Sequence, residues 1–210
     1  FATGLRNAEA LAVHPKTGAL FAVPHGRDQL AQNWGYSDAL SAELPAEELV
    51  QVEPGDDFGW PYCYFDQQQG KRVLSPEYGG DGSTIGRCAS KKTPLIGFPG
   101  HWPPMAIAFY DGRQFPAKYS GGAFVAFHGS WNRAPLPQRG FRVAFVPFGP
   151  NGRPSGGYET FATSQNGETG LRASGVAVGP DGSLYIADES SGTVWRVMTQ
   201  GAGKGSASPA

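Results

Sequence analysis

The chain has 210 residues, 31 of them Gly and 18 Pro, and its 17 Lys plus Arg nearly balance 18 Asp plus Glu. It is long enough for a sizeable core, but Gly and Pro at this density interrupt long helices, so a loop-rich all-β chain is expected. A net charge of −1 argues against a general nucleic-acid or acidic-membrane binder, which carries a basic excess, and no run approaches the roughly 20 apolar residues of a membrane-spanning helix.

The N-terminal "FATGLRNAEA" has neither the basic start nor the apolar centre of a secretory leader. From there, three segments resemble one another: "ALAVHPKTGALFAVPHG" (10–26), "MAIAFYDGRQFPAKYSGGAFVAFHG" (105–129) and "GVAVGPDGSLYIADES" (175–190). Each predicts a short alternating strand, a turn and a second apolar strand. The turns "PKTG" and "PDG" fit hairpins, because Pro fixes φ at the first corner and Gly accepts a positive φ at the second. Between them, "ELVQVEPG" (48–55), "FRVAFVPFG" (141–149) and "TVWRVM" (193–198) are further strands. The one helical turn expected is "PAEEL" (45–49), and "TQGAGKGSASPA" (199–210) is expected to be a flexible tail.

Small antiparallel sheets repeating at roughly 40 to 50 residues or more are the signature of a β-propeller, with a β-sandwich the runner-up. Residues 1–198 are then propeller, but they supply about three blades, which do not close a ring. The expectation is a fragment of a longer protein, with completion by another copy or fragment the alternative. Cys63 and Cys88 have no nearby histidine at zinc-ligand spacing. A single disulfide, and with it a periplasmic or secreted location, is the preferred reading; two unpaired buried thiols are the alternative.

Strand alternation sorts the loops. The segment entering the first strand of a blade and the segment leaving the second share one end of the ring. That end collects "GLRNAE" (4–9), "PHGRD" (24–28), "GHWPP" (100–104), "HGSWNR" (128–133), "GLRAS" (170–174) and "DESS" (188–191). They deliver Arg6, His25, Arg27, His101, His128, Arg133 and Arg172, against Glu9, Asp28, Asp188 and Glu189. His14 falls in a hairpin turn at the other end. Arg and His with Asn7 and Asn132 suit an anionic, planar, carboxylate-bearing ligand, because guanidinium groups grip carboxylates through paired hydrogen bonds. Trp60 and Pro61 are expected to pack a turn against the rim, and Asp56 and Asp57 to be solvated. No GxSxG, HExxH, GxGxxG or P-loop is present, so ordinary hydrolase and nicotinamide readings have no support.

In this order, "GLRNAEALAVHPKTGALFAVPHGRD", "GDDFGWPYC", "FHGSWNR" and "SGVAVGPDGSLYIAD" resemble the C-terminal half of the soluble quinoprotein sugar dehydrogenases, the sorbosone or glucose dehydrogenase-like branch. The resemblance implies a six-bladed propeller holding pyrroloquinoline quinone (PQQ) and calcium on its axis and oxidising sugars or related alcohols and aldehydes. It implies that Arg6 and Asn7 contact the quinone, that the backbone carbonyls of Gly26 and Arg27 ligate calcium, and that Arg172 holds a cofactor carboxylate. The glucose dehydrogenases have proline in place of Arg27, a change a carbonyl ligand survives. They also place a lysine near the end of the strand matching "AFVAFHG"; here His128 or Arg133 would serve. A sugar-derived substrate and an electron acceptor such as a cytochrome or quinone are the implied partners. The family's catalytic base matches nothing in this chain and lies upstream, so residues 1–210 alone are expected to be inactive and prone to associate. A catalytically silent propeller that binds carbohydrate or a protein is the competing reading.

Overall fold

The structure, a computed structural model, describes residues 1–164 and 170–199. Strands β1 (Asn7–Val13), β2 (Leu20–His25) and β3 (Glu47–Val52) pair antiparallel in succession. Two short helices, α1 (Leu30–Trp34) and α2 (Asp38–Glu43), lie in the link from β2 to β3. A hairpin of β4 (Cys63–Asp66) and β5 (Lys71–Leu74) follows, and β6 (Ile96–Phe98) returns to pair with β3. The second sheet is β7 (Pro104–Phe109), β8 (Ala123–His128), β9 (Phe141–Val146) and β10 (Glu159–Ala162). The third is β11 (Ala173–Val178), β12 (Leu184–Asp188) and β13 (Thr193–Val197).

All three sheets run in simple sequence order from their first strand outward, and the first strands are neighbours: β7 packs against β1 on one side and β11 on the other. This is blade packing around an axis rather than two sheets face to face, so the propeller expectation holds and the sandwich does not. The described residues form three blades and an open arc.

The run "AFVAF" explains why the middle blade holds the arc together. Val125 and Phe127 point into the core shared with the first blade, beside Phe21, Leu49, Phe98 and Ile107. Phe124 and Ala126 point into the core shared with the third, beside Tyr110, Leu184 and Ile186. A strand buried on both faces needs a continuous apolar run, whereas a strand with one wet face alternates. β13, the last strand of the third sheet, is covered on neither face: Val194 and Trp195, which point to opposite sides, are both exposed.

The helical turn expected at 45–49 is absent. Glu47, Glu48 and Leu49 pair instead with Phe98, Gly97 and Ile96, because a strand that satisfies its backbone on both neighbours overrides a weak local helix preference. The helices lie upstream, where Ser37 caps α2 by accepting from the Leu40 N–H. Cys63 and Cys88 form the expected disulfide, tying β4 to the turn that follows the polar insertion. Asp56 and Asp57 are ion-paired with Lys92 and Lys91 rather than merely solvated. Of the expected tail, Thr199 is fixed by hydrogen bonds to Gln114; 200–210 lie outside the described residues.

Candidate functional site

The register places the loops as strand alternation requires. Asn7 is opposite His25, Pro104 opposite Phe127, and Ala173 opposite Asp188, all at one end; Val13–Leu20, Phe109–Ala123 and Val178–Leu184 close the other. Each innermost strand carries a register shift at the first end, between Asn7 and Ala10, Pro104 and Ala106, and Ala173 and Gly175. Bulges bend the strand and re-aim the side chains before them. Nothing in the sequence announced this threefold feature.

Arg6 is positioned by the turn "DDFGWP". Thr3 and Gly4 dock on it through Phe58 N–H to Thr3 O (3.1 Å) and Trp60 N–H to Gly4 O (2.9 Å). Gly4 has φ +73°, and a Cβ there would lie 2.3 Å from the Gly59 nitrogen, so only glycine permits this approach. The Arg6 guanidinium then sits 5.5 Å from the Trp60 ring centroid. Trp60 therefore supports a site residue and, with His25 and Arg27, lines a small pocket beside it, going beyond the rim packing expected of it.

Between the first and second blades, a polar cleft is lined by Arg6, His25, Gly26, Asp28, Glu47, His101 and Asn132. Asp28 is its hub: His101 Nδ1 is 3.2 Å away and Arg6 3.7 Å. Burial disfavours ionised Asp28, but hydrogen bonds from His101 and Asn132 and the nearby positive charge outweigh it and hold the carboxyl below its ordinary range. Glu47, only 3% exposed, accepts the Gly26 N–H at 2.7 Å; burial pushes its pKa well up, since that hydrogen bond only partly compensates. His25 lies 2.9 Å from the Pro104 carbonyl through Nε2. A carbonyl only accepts, so Nε2 carries the proton. Burial lowers the His25 pKa despite that bond, and the neutral ring ties the first blade to the second. Sequence reasoning missed Glu47, whose side chain reaches the site from β3; its signal was an acidic residue at the start of a buried strand.

Between the second and third blades, Arg172 lies against His128, its Nη2 3.1 Å from both ring nitrogens. His128 Nε2 (2.6 Å) and Arg172 Nε (3.2 Å) both meet Glu189 Oε1. Behind them, Asp188 accepts from Arg172 N–H, Ser190, Ser191 and Trp195.

The candidate residues thus do not all share one environment. Arg6 and Asn7 are exposed, while His128 and Arg172 are partly so, all at the same end. Arg133 differs: it is buried, bonded to Ala42 O, Gly100 O (3.4 Å), Pro137 O (3.1 Å) and Glu43 (2.6 Å). An arginine so enclosed braces the loop, and the structure places it inside the protein rather than on the open face where a cofactor contact was expected. The Arg27 side chain is likewise buried and paired with Glu77, leaving only its backbone for ligation. Among the described residues no hydrogen bond reaches the carbonyl oxygens of Gly26 or Arg27, and no cluster of three or more His, Cys, Asp or Glu is arranged for a metal.

A family model described as TrAA12-like matches residues 1–200. An uncharacterised protein of Borreliella burgdorferi is 28% identical over 205 residues, covering 93% of this chain and 48% of that protein. Among solved structures, a calcium structure of the Trichoderma reesei Carbohydrate-Active Enzymes Family AA12 protein superposes with TM-score 0.74 at 23% identity, over 92% of this chain and 52% of the other. The holo form of the pyranose dehydrogenase PQQ domain from Coprinopsis cinerea superposes with TM-score 0.70 at 21% identity, over 94% and 55%. The chain spans about half the length of these relatives, and the structural likeness supports the propeller fold.

Proposed function

We propose, because the chain belongs to the TrAA12-like family, that it forms part of a PQQ- and calcium-dependent oxidoreductase acting on sugars or related alcohols and aldehydes. The observation that carries the proposal is the gathering of Arg6, His25, Gly26, Asp28, His128 and Arg172 at the bulged end of the three innermost strands. The quinone, when bound, supplies the two-electron oxidation by accepting hydride.

The residues at this end fit such a ligand. Arg6 and Arg172, each with a side chain 33% exposed, have guanidinium edges left over after their carboxylate contacts, and two separated guanidinium groups match a planar ligand with several carboxylates. Asn7 adds an amide at the same end. The Gly26 and Arg27 carbonyls offer hard oxygen ligands to calcium, with Gly26 held in place by Glu47. Calcium takes six to eight oxygens, so two carbonyls bind it weakly without the quinone's own oxygens. Calcium affinity should therefore depend on quinone. No residue of this chain is assigned as the proton acceptor for the sugar hydroxyl; a periplasmic or secreted setting, an external electron acceptor and a sugar substrate complete the reading.

The test is a titration of the purified protein with PQQ in the presence and absence of calcium. A saturable, calcium-dependent change in quinone absorbance is expected. No change at either condition sinks the proposal and favours a silent binding propeller.

A further inference from the structure

Trp131 is 77% exposed, between buried Ser130 and half-buried Asn132 in the loop that follows β8. Scattered single apolar residues on a surface need no explanation, but this one has three features that set it apart. The loop is held by close packing and hydrogen bonds: Gly129, at φ +84°, lies so close to Phe141 that a Cβ would be 2.0 Å from the ring. Ser130 donates from its hydroxyl to Gln138 (3.0 Å) and accepts from the Asn132 N–H (2.9 Å), and buried Arg133 fastens the loop to Glu43 and Gly100. The indole lines the same cleft as Asp28, His101 and Asn132. Finally, its neighbours in that cleft are hydrogen-bonding groups, with Asp28 itself 43% exposed.

We infer that Trp131 is the stacking platform of a pyranose subsite at the mouth of the cleft, with Asp28 and Asn132 supplying its hydrogen-bonding edge. A pyranose has an apolar face of C–H groups and a polar rim of hydroxyls. An aromatic ring held beside a carboxylate and an amide matches both, and a loop already fastened by its own hydrogen bonds has less ordering entropy to lose on binding. An open-chain polyol has no such flat face and should gain little from the indole. The inference rests on the sugar-oxidising reading above and names the residue that selects rings over chains.

The experiment uses protein labelled with 5-fluorotryptophan, which gives one fluorine resonance for each of the five tryptophans; the signal missing in Trp131→Phe is that of Trp131. With PQQ and calcium present, D-glucose is expected to shift this resonance selectively, sorbitol much less. Trp131→Ala is expected to weaken glucose binding about tenfold, the size of one good aromatic contact, with PQQ affinity and melting temperature unchanged, and Trp131→Phe to recover part of the loss. Glucose affinity unaltered in Trp131→Ala, or an unshifted Trp131 resonance in quinone-loaded protein, overturns the subsite while leaving the quinone reading intact. A glucose shift at Trp131 in protein that binds no quinone supports the subsite and removes the quinone.

Discussion

Each of the three blades has two ends, and the molecule finishes them in opposite ways. At the hairpin end, polar groups are consumed by the turns that hold them. The Tyr110 hydroxyl donates to Gly182 O (2.9 Å) and accepts from the Gln114 and Phe115 N–H groups (3.1 and 2.9 Å). Asp181 serves Ser183 and Arg196, and His14 is packed among Phe21, Phe109 and Phe148. At the bulged end, charged groups are shared between segments distant in sequence, and not all of them are tightly paired. Arg6 and Asp28 are 3.7 Å apart, a gap a tightly hydrogen-bonded pair does not leave. The same strands thus carry a sealed end that supports stability and an open end with binding capacity to spare.

The sealed end should break hardest. Tyr110→Ala removes a fully buried ring and strands three hydrogen-bonding partners, so a loss of about 4 kcal/mol in urea unfolding is expected. Tyr110→Phe isolates the hydroxyl and should cost about 2 kcal/mol. Neither should alter quinone affinity in protein that remains folded.

The disulfide lies beside the open end yet acts on stability. Cys63 and Cys88 are 25 residues apart, and releasing a loop of that size costs about 3.5 kcal/mol on the chain-entropy model. Cys63→Ser/Cys88→Ser should lower the denaturant midpoint accordingly, and a shift near zero would show that the polar insertion is held by its other bonds.

Asp188 sharpens the comparison because it belongs to the open end but is wired like the sealed one. Burial opposes its ionisation, but the hydrogen bonds from Ser190, Ser191, Arg172 and Trp195 outweigh that and hold its pKa far below the ordinary 3.8. A depressed carboxylate stabilises the fold above its unfolded-state pKa, and that contribution fades as pH falls through the folded-state value. Asp188→Asn should therefore cost about 1 to 3 kcal/mol at neutral pH, and the difference from wild type should shrink as pH is lowered below 3.8. A pH-independent difference would assign the effect to shape rather than charge.

These contrasts show what the sequence made legible. Hairpin turns at 15–18 and 180–182, the apolar strand over 123–127 and the pairing of Cys63 with Cys88 were readable because each depends on local chemistry or on a count of two. Sorting the loops by end was readable because strand direction alternates. The bulges, the Glu47 contact with Gly26 and the burial of Arg133 were not, since each is decided by which distant segment lies opposite: α2 for Arg133, the β2–β3 link for Glu47. "FHGSWNR" shows both outcomes in one stretch. His128 stands at the open end as expected, Arg133 turns into the protein, and Trp131, which composition alone would bury, faces water.

A smaller effect is expected at Glu189, whose carboxylate occupies both His128 and Arg172. Glu189→Gln should free them for an anion and raise quinone affinity about three- to tenfold at low ionic strength, fading with added salt. A fall in affinity would mean that Glu189 orients Arg172 rather than competing for it.

The central claim, that the open end holds the quinone, is tested most directly by one calcium-dependent absorbance titration run on wild type, Arg6→Ala/Arg172→Ala and Tyr110→Phe. Two charge-assisted contacts of roughly 1.5 to 3 kcal/mol each predict a loss of about a hundredfold or more in the double variant, with its melting temperature near wild type and with Tyr110→Phe binding normally. Equal affinity in all three, or weakening only in Tyr110→Phe, would contradict it.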